Sequence, residues 1–242
     1  MRITRIHTPQ PLAANATIEL GAEAARHLVT VLRLRVGDAL CLFNGEGGEY
    51  AGEILAASAK AVSVRTHAYT PEERESPLRT LLGIAISRGE RFEWVLQKAT
   101  ELGVTEIFPL YSERTEVKLK GDREGKKQAR WRQVIASACE QCGRNRLPVL
   151  HEPRQLANWL AVEASLKVVL HHRSQLDMQS LSRHKPDSVA LLTGPEGGLS
   201  PAEIEIAQGQ GFQALTLGPR VFRTETAPLV ALSLFQGMWG DF

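Results

Sequence analysis

Leu191-Leu192-Thr193-Gly194-Pro195-Glu196-Gly197-Gly198-Leu199-Ser200-Pro201-Ala202-Glu203 decides how the second half of the chain is read. The apolar run from Val189 to Thr193 has the character of a strand buried on both faces. It breaks into a Gly-Pro-Glu-Gly-Gly turn. Ser200 then stands at an N-cap, Pro201 at the first helical position, and Glu203 where a capping box needs it. Strand, glycine loop and capped helix make one unit of a parallel sheet, and such sheets bind ligands outside the carboxyl ends of their strands. The three glycines allow a backbone to approach a ligand closely. Taken alone, the segment also fits a plain strand-to-helix turn. Its spacing excludes a G-x-G-x-x-G dinucleotide loop, and no Lys-Ser/Thr completes a Walker A loop.

Outward from this stretch the pattern alternates. Leu81 to Ile86 is another continuous apolar strand. Phe92, Val95, Leu96, Ala99 and Leu102 follow at helical spacing, and Gly103 ends that helix. Ile107 to Leu110 is a short strand. Trp131, Val134, Ile135, Ala138 and Cys142 mark a second amphipathic helix. Strands follow at Lys167 to His171 and Ala214 to Leu217, and a last helix at about Ala227 to Trp239. This is an α/β domain with a parallel sheet and helices on both faces.

The first third differs. Short strand-like pieces at 17–20, 39–43, 49–55 and 61–64 are separated by turn residues, notably Asn44-Gly45-Glu46-Gly47-Gly48, with one helical stretch at Ala22 to Leu32. Spaced short strands need closure to hide their edges, so this part reads as a small β-barrel. Thr70-Pro71-Glu72-Glu73-Arg74-Glu75-Ser76-Pro77 reads as a linker. The expected domains are 1–72 and 73–242.

The 242 residues carry 29 Lys+Arg against 27 Asp+Glu, a formal charge of +2, with 43% hydrophobic residues. Disordered and fibrous classes are excluded, and nucleic-acid binding through bulk charge with them. No apolar run approaches the roughly 18 residues of a membrane span. Three cysteines and no apolar stretch behind the basic start point to a reduced, cytoplasmic protein.

Two further segments have chemistry-bearing residues. Leu215-Thr216-Leu217-Gly218-Pro219-Arg220-Val221-Phe222-Arg223-Thr224-Glu225-Thr226-Ala227 is again strand, Gly-Pro loop and helix; it carries arginines and a glutamate, or is simply a solvated loop. Ala138-Cys139-Glu140-Gln141-Cys142-Gly143-Arg144-Asn145-Arg146 contains a C-x-x-C. No second ligand pair supports zinc, and a redox pair belongs at a helix start, so these cysteines read as structural and no metal is expected.

Together the Gly-Pro-Glu-Gly-Gly-Leu-Ser, Leu-Gly-Pro-Arg-Val-Phe-Arg-Thr-Glu-Thr-Ala and Glu-Gln-Cys-Gly-Arg-Asn-Arg segments resemble the 16S ribosomal RNA uracil-N3 methyltransferase family, of the SPOUT class of knotted methyltransferases. Ser87-Arg88-Gly89-Glu90, Gln97 to Val104 and Arg2 to Ile6 match as well, so the resemblance spans the chain. His171-His172-Arg173 departs from it, since a proline is expected near His172.

The resemblance implies a PUA-like N-terminal β-barrel and a C-terminal α/β domain with a trefoil knot. It implies S-adenosylmethionine as cofactor, held by Leu170, His171, Thr193, Gly194, Pro195, Glu196, Gly197, Gly198, Leu215, Leu217, Gly218 and Val221. It implies 16S ribosomal RNA as substrate, in the small ribosomal subunit, and a homodimer, for which the 227–239 helix with Leu229, Leu232, Leu234, Phe235 and Trp239 is the candidate face. Methylating N3 of uracil blocks a Watson–Crick edge, so the base must be unpaired or flipped. Arg223, then Arg144, are candidates to stabilise developing charge on the carbonyl oxygens, and Glu225 or Glu140 to accept the imide proton. Arg2, Arg5, Arg26, Arg33 and Arg88 are the expected RNA contacts. A basic run, Lys118, Lys120, Arg123, Lys126, Lys127, Arg130 and Arg132, in a stretch expected to be mobile, is either an RNA path or a solvated face. Ribose 2′-O-methylation and a non-catalytic RNA-binding adaptor remain as alternatives.

Overall fold

The computed structural model describes residues 3–117, 121–181 and 184–242. Arg2, Lys118 and Lys120 lie outside the described residues. The chain divides into two compact units, Met1–Glu75 with Ala136–Leu147, and Ser76–Ile135 with Pro148–Phe242.

The first unit contains β1 (Thr4–His7), β2 (Thr17–Leu20), α1 (Ala22–Arg26), β3 (Ala39–Phe43), β4 (Glu49–Ala57) and β5 (Val62–Thr70). α1 runs into a π-helical turn at His27–Val31, in which Leu32 N donates to His27 O at 3.0 Å. The sheet order is β1-β3-β4-β5-β2. β1 joins β3 in parallel and the other ladders are antiparallel. Alternate residues point to one face, as the two-residue strand period requires. Thus Ile6, Ile18, Leu20, Leu40, Leu42, Ile54, Val62 and Val64, from all five strands, meet Ala25 and Leu28 in one core. The sheet curls around that core, and no β1–β2 ladder closes it among the described residues. Gly45, Gly47 and Gly48 all have positive φ between β3 and β4, the backbone that the Asn-Gly-rich turn allows.

Residues 136–147 belong here through a polar network. Arg5 pairs with Glu49 and donates to Asn145 Oδ1 at 2.5 Å. Asn145 Nδ2 donates to Glu49 at 3.1 Å and to Glu72 O at 2.7 Å. Arg144 grips both oxygens of Glu75, at 3.0 and 2.5 Å. Arg144 is 4% exposed and Asn145 fully buried.

The second unit contains β6 (Arg79–Ala85), α2 (Glu90–Glu101), β7 (Glu106–Tyr111), α3 (Asp122–Cys142, its end in the first unit), β8 (Val149–Leu150), β9 (Arg154–Gln155), α4 (Leu156–Trp159), β10 (Leu166–Leu170), β11 (Ser188–Thr193), α5 (Pro201–Gly209), β12 (Gln213–Leu215) and α6 (Ala227–Trp239). The sheet order is β12-β10-β11-β6-β7-β8, with β9 also on β7, and every pairing is parallel. β11 is buried at all six positions, as an apolar run in a parallel sheet must be. On one sheet face Leu81, Phe108, Leu110, Val169, Leu192 and Ala214 pack with Trp159, Leu160, Ile204, Ala207 and Phe212. Such residues stabilise by about 1.5–3 kcal/mol each when fully buried. Gly83 is required there, since a Cβ would lie 2.5 Å from the Trp159 ring. α2 and α6 pack on each other, and α6 on β11.

The structure departs from the sequence reading in several places, among them β1 and α4, which have no counterpart in it, and β5, which runs on to Thr70. β10 stops at Leu170 and β12 at Leu215: His171 N still donates to Leu215 O at 2.9 Å, but Thr216 N turns away to Leu176 O at 2.8 Å, which ends the ladder. β8 and β9 are two-residue strands without a periodic signal. The basic run from Asp122 onward is helical, and Lys127 and Arg130 pair with Glu93 at 2.9 and 3.2 Å. In α6, Leu232, Phe235 and Trp239 are buried within the unit, leaving Leu234 and Met238 about 40% exposed. Among the described residues no helix is long and apolar enough to cross a membrane.

Candidate functional site

The carboxyl ends of β12, β10 and β11 lie side by side, and the loops that leave them enclose a cleft of about 270 Å³. Leu170 and His171 line it from β10, Thr193 to Gly198 from β11, and Leu215, Leu217 and Val221 from β12. The sequence reading named all of these. Gly218, also named, is not in the wall; at φ +111° it turns the third loop, a conformation that favours glycine. Arg114, His172, Leu199, Ile204, Thr216, Arg220, Phe222, Thr224 and Ala227 also line the cleft and were not named. Most are chain neighbours of named residues. Arg114, which follows β7, has no sequence signal.

The glycine loop is held in shape. Gly198 N donates to Pro195 O at 2.8 Å, and Gly198 has φ +67°. Ser200 caps α5, accepting from Glu203 N at 3.3 Å, while Glu203 accepts from Ser200 N at 2.8 Å. Arg114 Nη1 donates to Gly197 O at 2.8 Å. Glu196 accepts from Arg88 N at 3.3 Å and from Arg91 Nη1 at 3.1 Å.

The walls suit a ligand with polar and apolar parts. Thr193 is 2% exposed, and its hydroxyl has no hydrogen-bond partner among the described residues. The hydroxyls of Thr80 and Ser87 are buried without a partner in the same way, so the Thr193 side chain is part of the packed wall, and the polar groups the cleft offers there are those of the loop backbone. Val221 is 76% exposed and offers an apolar surface on the third loop. Burial, with His172 and Arg173 nearby, lowers the His171 pKa, so its ring is neutral near pH 7.

The residues named for chemistry fall in three places. Arg223 lies between the cleft residues Phe222 and Thr224. Its carbonyl accepts from Thr226 N and Ala227 N, at 2.9 and 3.0 Å, which starts α6. Its side chain is exposed. Glu225 lines a second groove, of about 480 Å³, with Arg91, Glu93, Trp94, Gln97 and Arg130. Arg223 and Glu225 are not an ion pair. Arg144 and Glu140 belong to the first unit. Arg144 holds Glu75; Glu140 accepts from His7 N at 2.9 Å, and burial raises its pKa.

Of the residues named for RNA, Arg26, Arg33 and Arg88 are exposed, and Arg88 pairs with Glu116 at 2.8 Å. The Arg5 side chain is only 10% exposed and is committed to Glu49 and Asn145. Burial pushes the Cys139 thiol up to about 12, far from the thiolate a redox pair requires. All three cysteines are free. The described residues hold no cluster of three metal-ligating side chains.

Comparison with known proteins places this arrangement. Residues 74–236 match the model of an RNA methyltransferase domain, and residues 20–66 that of an RNA methyltransferase PUA domain. Two similar proteins are named ribosomal RNA small subunit methyltransferase E. That of Buchnera aphidicola subsp. Acyrthosiphon pisum is 32% identical, covering 100% of this chain and 96% of its own length. That of Bacillus subtilis is 33% identical, covering 93% and 92%. Among solved structures, a Legionella pneumophila methyltransferase in complex with the cofactor SAM is 42% identical, with a TM-score of 0.96 over 100% of both chains. The Neisseria gonorrhoeae ribosomal RNA small subunit methyltransferase E bound to S-adenosyl methionine is 34% identical, with a TM-score of 0.90 over 100% of both. The two solved structures match this fold over the full chain, and the chain belongs to the RNA methyltransferase family.

Proposed function

We propose that the protein transfers a methyl group from S-adenosylmethionine to N3 of a specific uridine in 16S ribosomal RNA of the small subunit. The observation that carries this is the glycine-walled cleft at the strand ends, in a chain whose full-length relatives were solved with that cofactor. When bound, the cofactor supplies a methyl group activated on a sulfonium. Backbone groups of Thr193, Gly194, Gly197, Gly198 and Leu217 hold its adenine and ribose, and Leu170, His171, Leu215 and Val221 border it. Pro195 and Glu196 shape the glycine loop, and Gly218 shapes the third.

Arg223, exposed beside the cleft, is proposed to stabilise negative charge on a uracil carbonyl as N3 loses its proton. Glu225 is proposed to accept that proton, directly or through water. Arg144 and Glu140 serve the folding of the first unit in this reading, which supersedes their sequence-based candidacy for the chemistry. Arg26, Arg33 and Arg88, with Arg2, contact RNA; Arg5 positions Asn145. Residues 1–72 form the RNA-binding domain and 73–242 the methyltransferase domain, with 136–147 packed in the first unit. The chain acts as a homodimer in the cytoplasm, and the 216–226 segment, tied to Leu176 through Thr216, is threaded as a trefoil knot.

The test is mass analysis of nucleosides after incubation with the cofactor and small-subunit RNA. 3-Methyluridine supports the proposal, and 2′-O-methylation of ribose refutes it.

A further inference from the structure

The loop backbones and apolar walls of the cleft suit the adenine and ribose of S-adenosylmethionine. They leave its amino-acid tail, a carboxylate beside an ammonium, still to be matched. The ionisable side chains lining the cleft are Arg114, His171, His172, Glu196 and Arg220. Glu196 is engaged by Arg91 Nη1 at 3.1 Å and by Arg88 N at 3.3 Å. Arg114 is engaged by Gly197 O at 2.8 Å. The His171 and His172 rings lie 5.5 Å apart, and burial lowers the His171 pKa further from the charged form. Arg220 differs from all four. It is exposed on the third loop, and its side chain has no hydrogen bond or ion pair among the described residues.

The helix starts beside the cleft are already engaged. α5 closes its own capping box through Ser200 and Glu203. At α6 the Thr226 and Ala227 N–H groups donate to Arg223 O, at 2.9 and 3.0 Å. A guanidinium presents a planar fork that meets a carboxylate with two parallel N–H···O bonds, and it stays charged where an imidazole does not. Taking a carboxylate would break no internal contact of Arg220. Val221 and Phe222, next in the chain, also line the cleft, so this one segment offers a cation next to apolar surface, as a ring system with a charged tail requires. Arg223, three positions on, is not among the residues that line the cleft. The two arginines of the loop are therefore set for different partners.

Resting on the reading of the cleft as an S-adenosylmethionine site, we propose that Arg220 anchors the α-carboxylate of the cofactor and so makes the cleft select ligands with a complete amino-acid tail. The methyl donor and its demethylated product, S-adenosylhomocysteine, both keep that carboxylate, so the anchor serves both and does not itself favour the sulfonium. Arg220 acts on cofactor affinity and leaves the transfer step to other groups.

The test is calorimetric titration of the whole protein at about pH 8, where an ordinary imidazole is neutral. The ligands are S-adenosylmethionine, S-adenosylhomocysteine and decarboxylated S-adenosylmethionine, which keeps the nucleoside, sulfonium and ammonium and lacks only the carboxylate. Wild type should bind the first two roughly tenfold or more tightly than the third, the scale of one charge-assisted contact. Arg220→Ala should lose that preference: its affinity for the first two should fall by about the same factor, and it should hold the decarboxylated ligand no worse than wild type does. Arg220→Lys should recover part of the loss, because it keeps the charge without the fork. Tm should hold in both variants, since an exposed side chain without a partner is removed. Full affinity of Arg220→Ala for S-adenosylmethionine overturns the proposal. So does an equal loss for all three ligands, which would make Arg220 a loop-shaping residue, or a loss of RNA affinity alone, which would assign it to the substrate. If wild type binds all three equally, the tail has no anchor and the proposal falls while the cofactor site stands; if wild type binds none, the cofactor reading falls and the proposal with it.

Discussion

Arg114 Nη1 donates a 2.8 Å hydrogen bond to the carbonyl oxygen of Gly197. A side chain from the loop after β7 thereby fixes the glycine loop after β11. Arg114 is exposed, so the bond adds little to global stability, but it holds a wall of the cleft. Arg114→Ala should weaken cofactor binding a few-fold to about tenfold, the scale of one hydrogen bond, with Tm nearly unchanged. Calorimetric titration checks this; equal affinity would show that the loop keeps its shape unaided.

Gly197→Val is the sharper test of the cleft. Gly197 is not in the left-handed region, and a Cβ there would meet only the flexible Arg114 side chain, at 3.4–3.5 Å. The fold should survive while the branched side chain narrows the cleft, so cofactor binding should fall by at least tenfold or so. Gly218 is a poorer choice, because at φ +111° any larger residue strains the loop itself. Full affinity in a folded Gly197→Val would remove this loop from the site.

Arg144→Ala should act on stability. It removes the partner of Glu75 from a pair whose arginine side chain is 5% exposed, and breaking such a pair costs about 3 kcal/mol. Denaturant unfolding should show that loss, with the single-turnover rate of the remaining folded protein little changed. A normal midpoint with a lost rate would restore Arg144 to the chemistry.

Two carboxylates of the first unit titrate in opposite senses. Burial alone would raise the Glu49 pKa, but hydrogen bonds from Arg5 and Asn145 and the nearby arginine charges outweigh it and lower it. Its contribution is present above the ordinary carboxylate range and is lost as pH falls through the depressed value. Burial raises the Glu140 pKa despite the His7 N–H. Stability tied to protonated Glu140 is present below the ordinary range and is lost as pH rises through the elevated value. Glu49→Gln should therefore flatten the acid limb of a stability–pH curve, and Glu140→Gln should flatten the decline just above the ordinary range. A curve unchanged in both variants would contradict these assignments.

Local chemistry was legible in the sequence and long-range pairing was not. The Ser200–Glu203 capping box, the burial of β11 and the bounds of α6 follow from spacing and residue type, whereas the joining of three loops in one cleft is an expectation from the family resemblance. Arg114 could not be read, because it reaches Gly197 across 83 positions of chain. Arg5 reads as an RNA contact and Arg144 as a candidate for the chemistry, yet in the structure they are engaged by Glu49 and Glu75, which are far from them in sequence. The same network draws residues 136–147 into the first unit, so deleting 1–72 would strip Arg5, Glu49 and Glu72 from Asn145 as well as removing the proposed RNA contacts.

The central claim is that one cleft binds S-adenosylmethionine and that Arg223 beside it supports transfer to uridine N3. Its most direct test is single-turnover methyl transfer to small-subunit RNA from cells lacking the gene, at saturating RNA and cofactor, read as 3-methyluridine by mass analysis. Wild type should place the methyl group on N3 of one uridine. Arg223→Ala should bind the cofactor within a few-fold and react roughly 10²-fold more slowly, the scale of losing one preorganised donor. A methyl group on ribose, or Arg223→Ala reacting at the wild-type rate, would contradict the account.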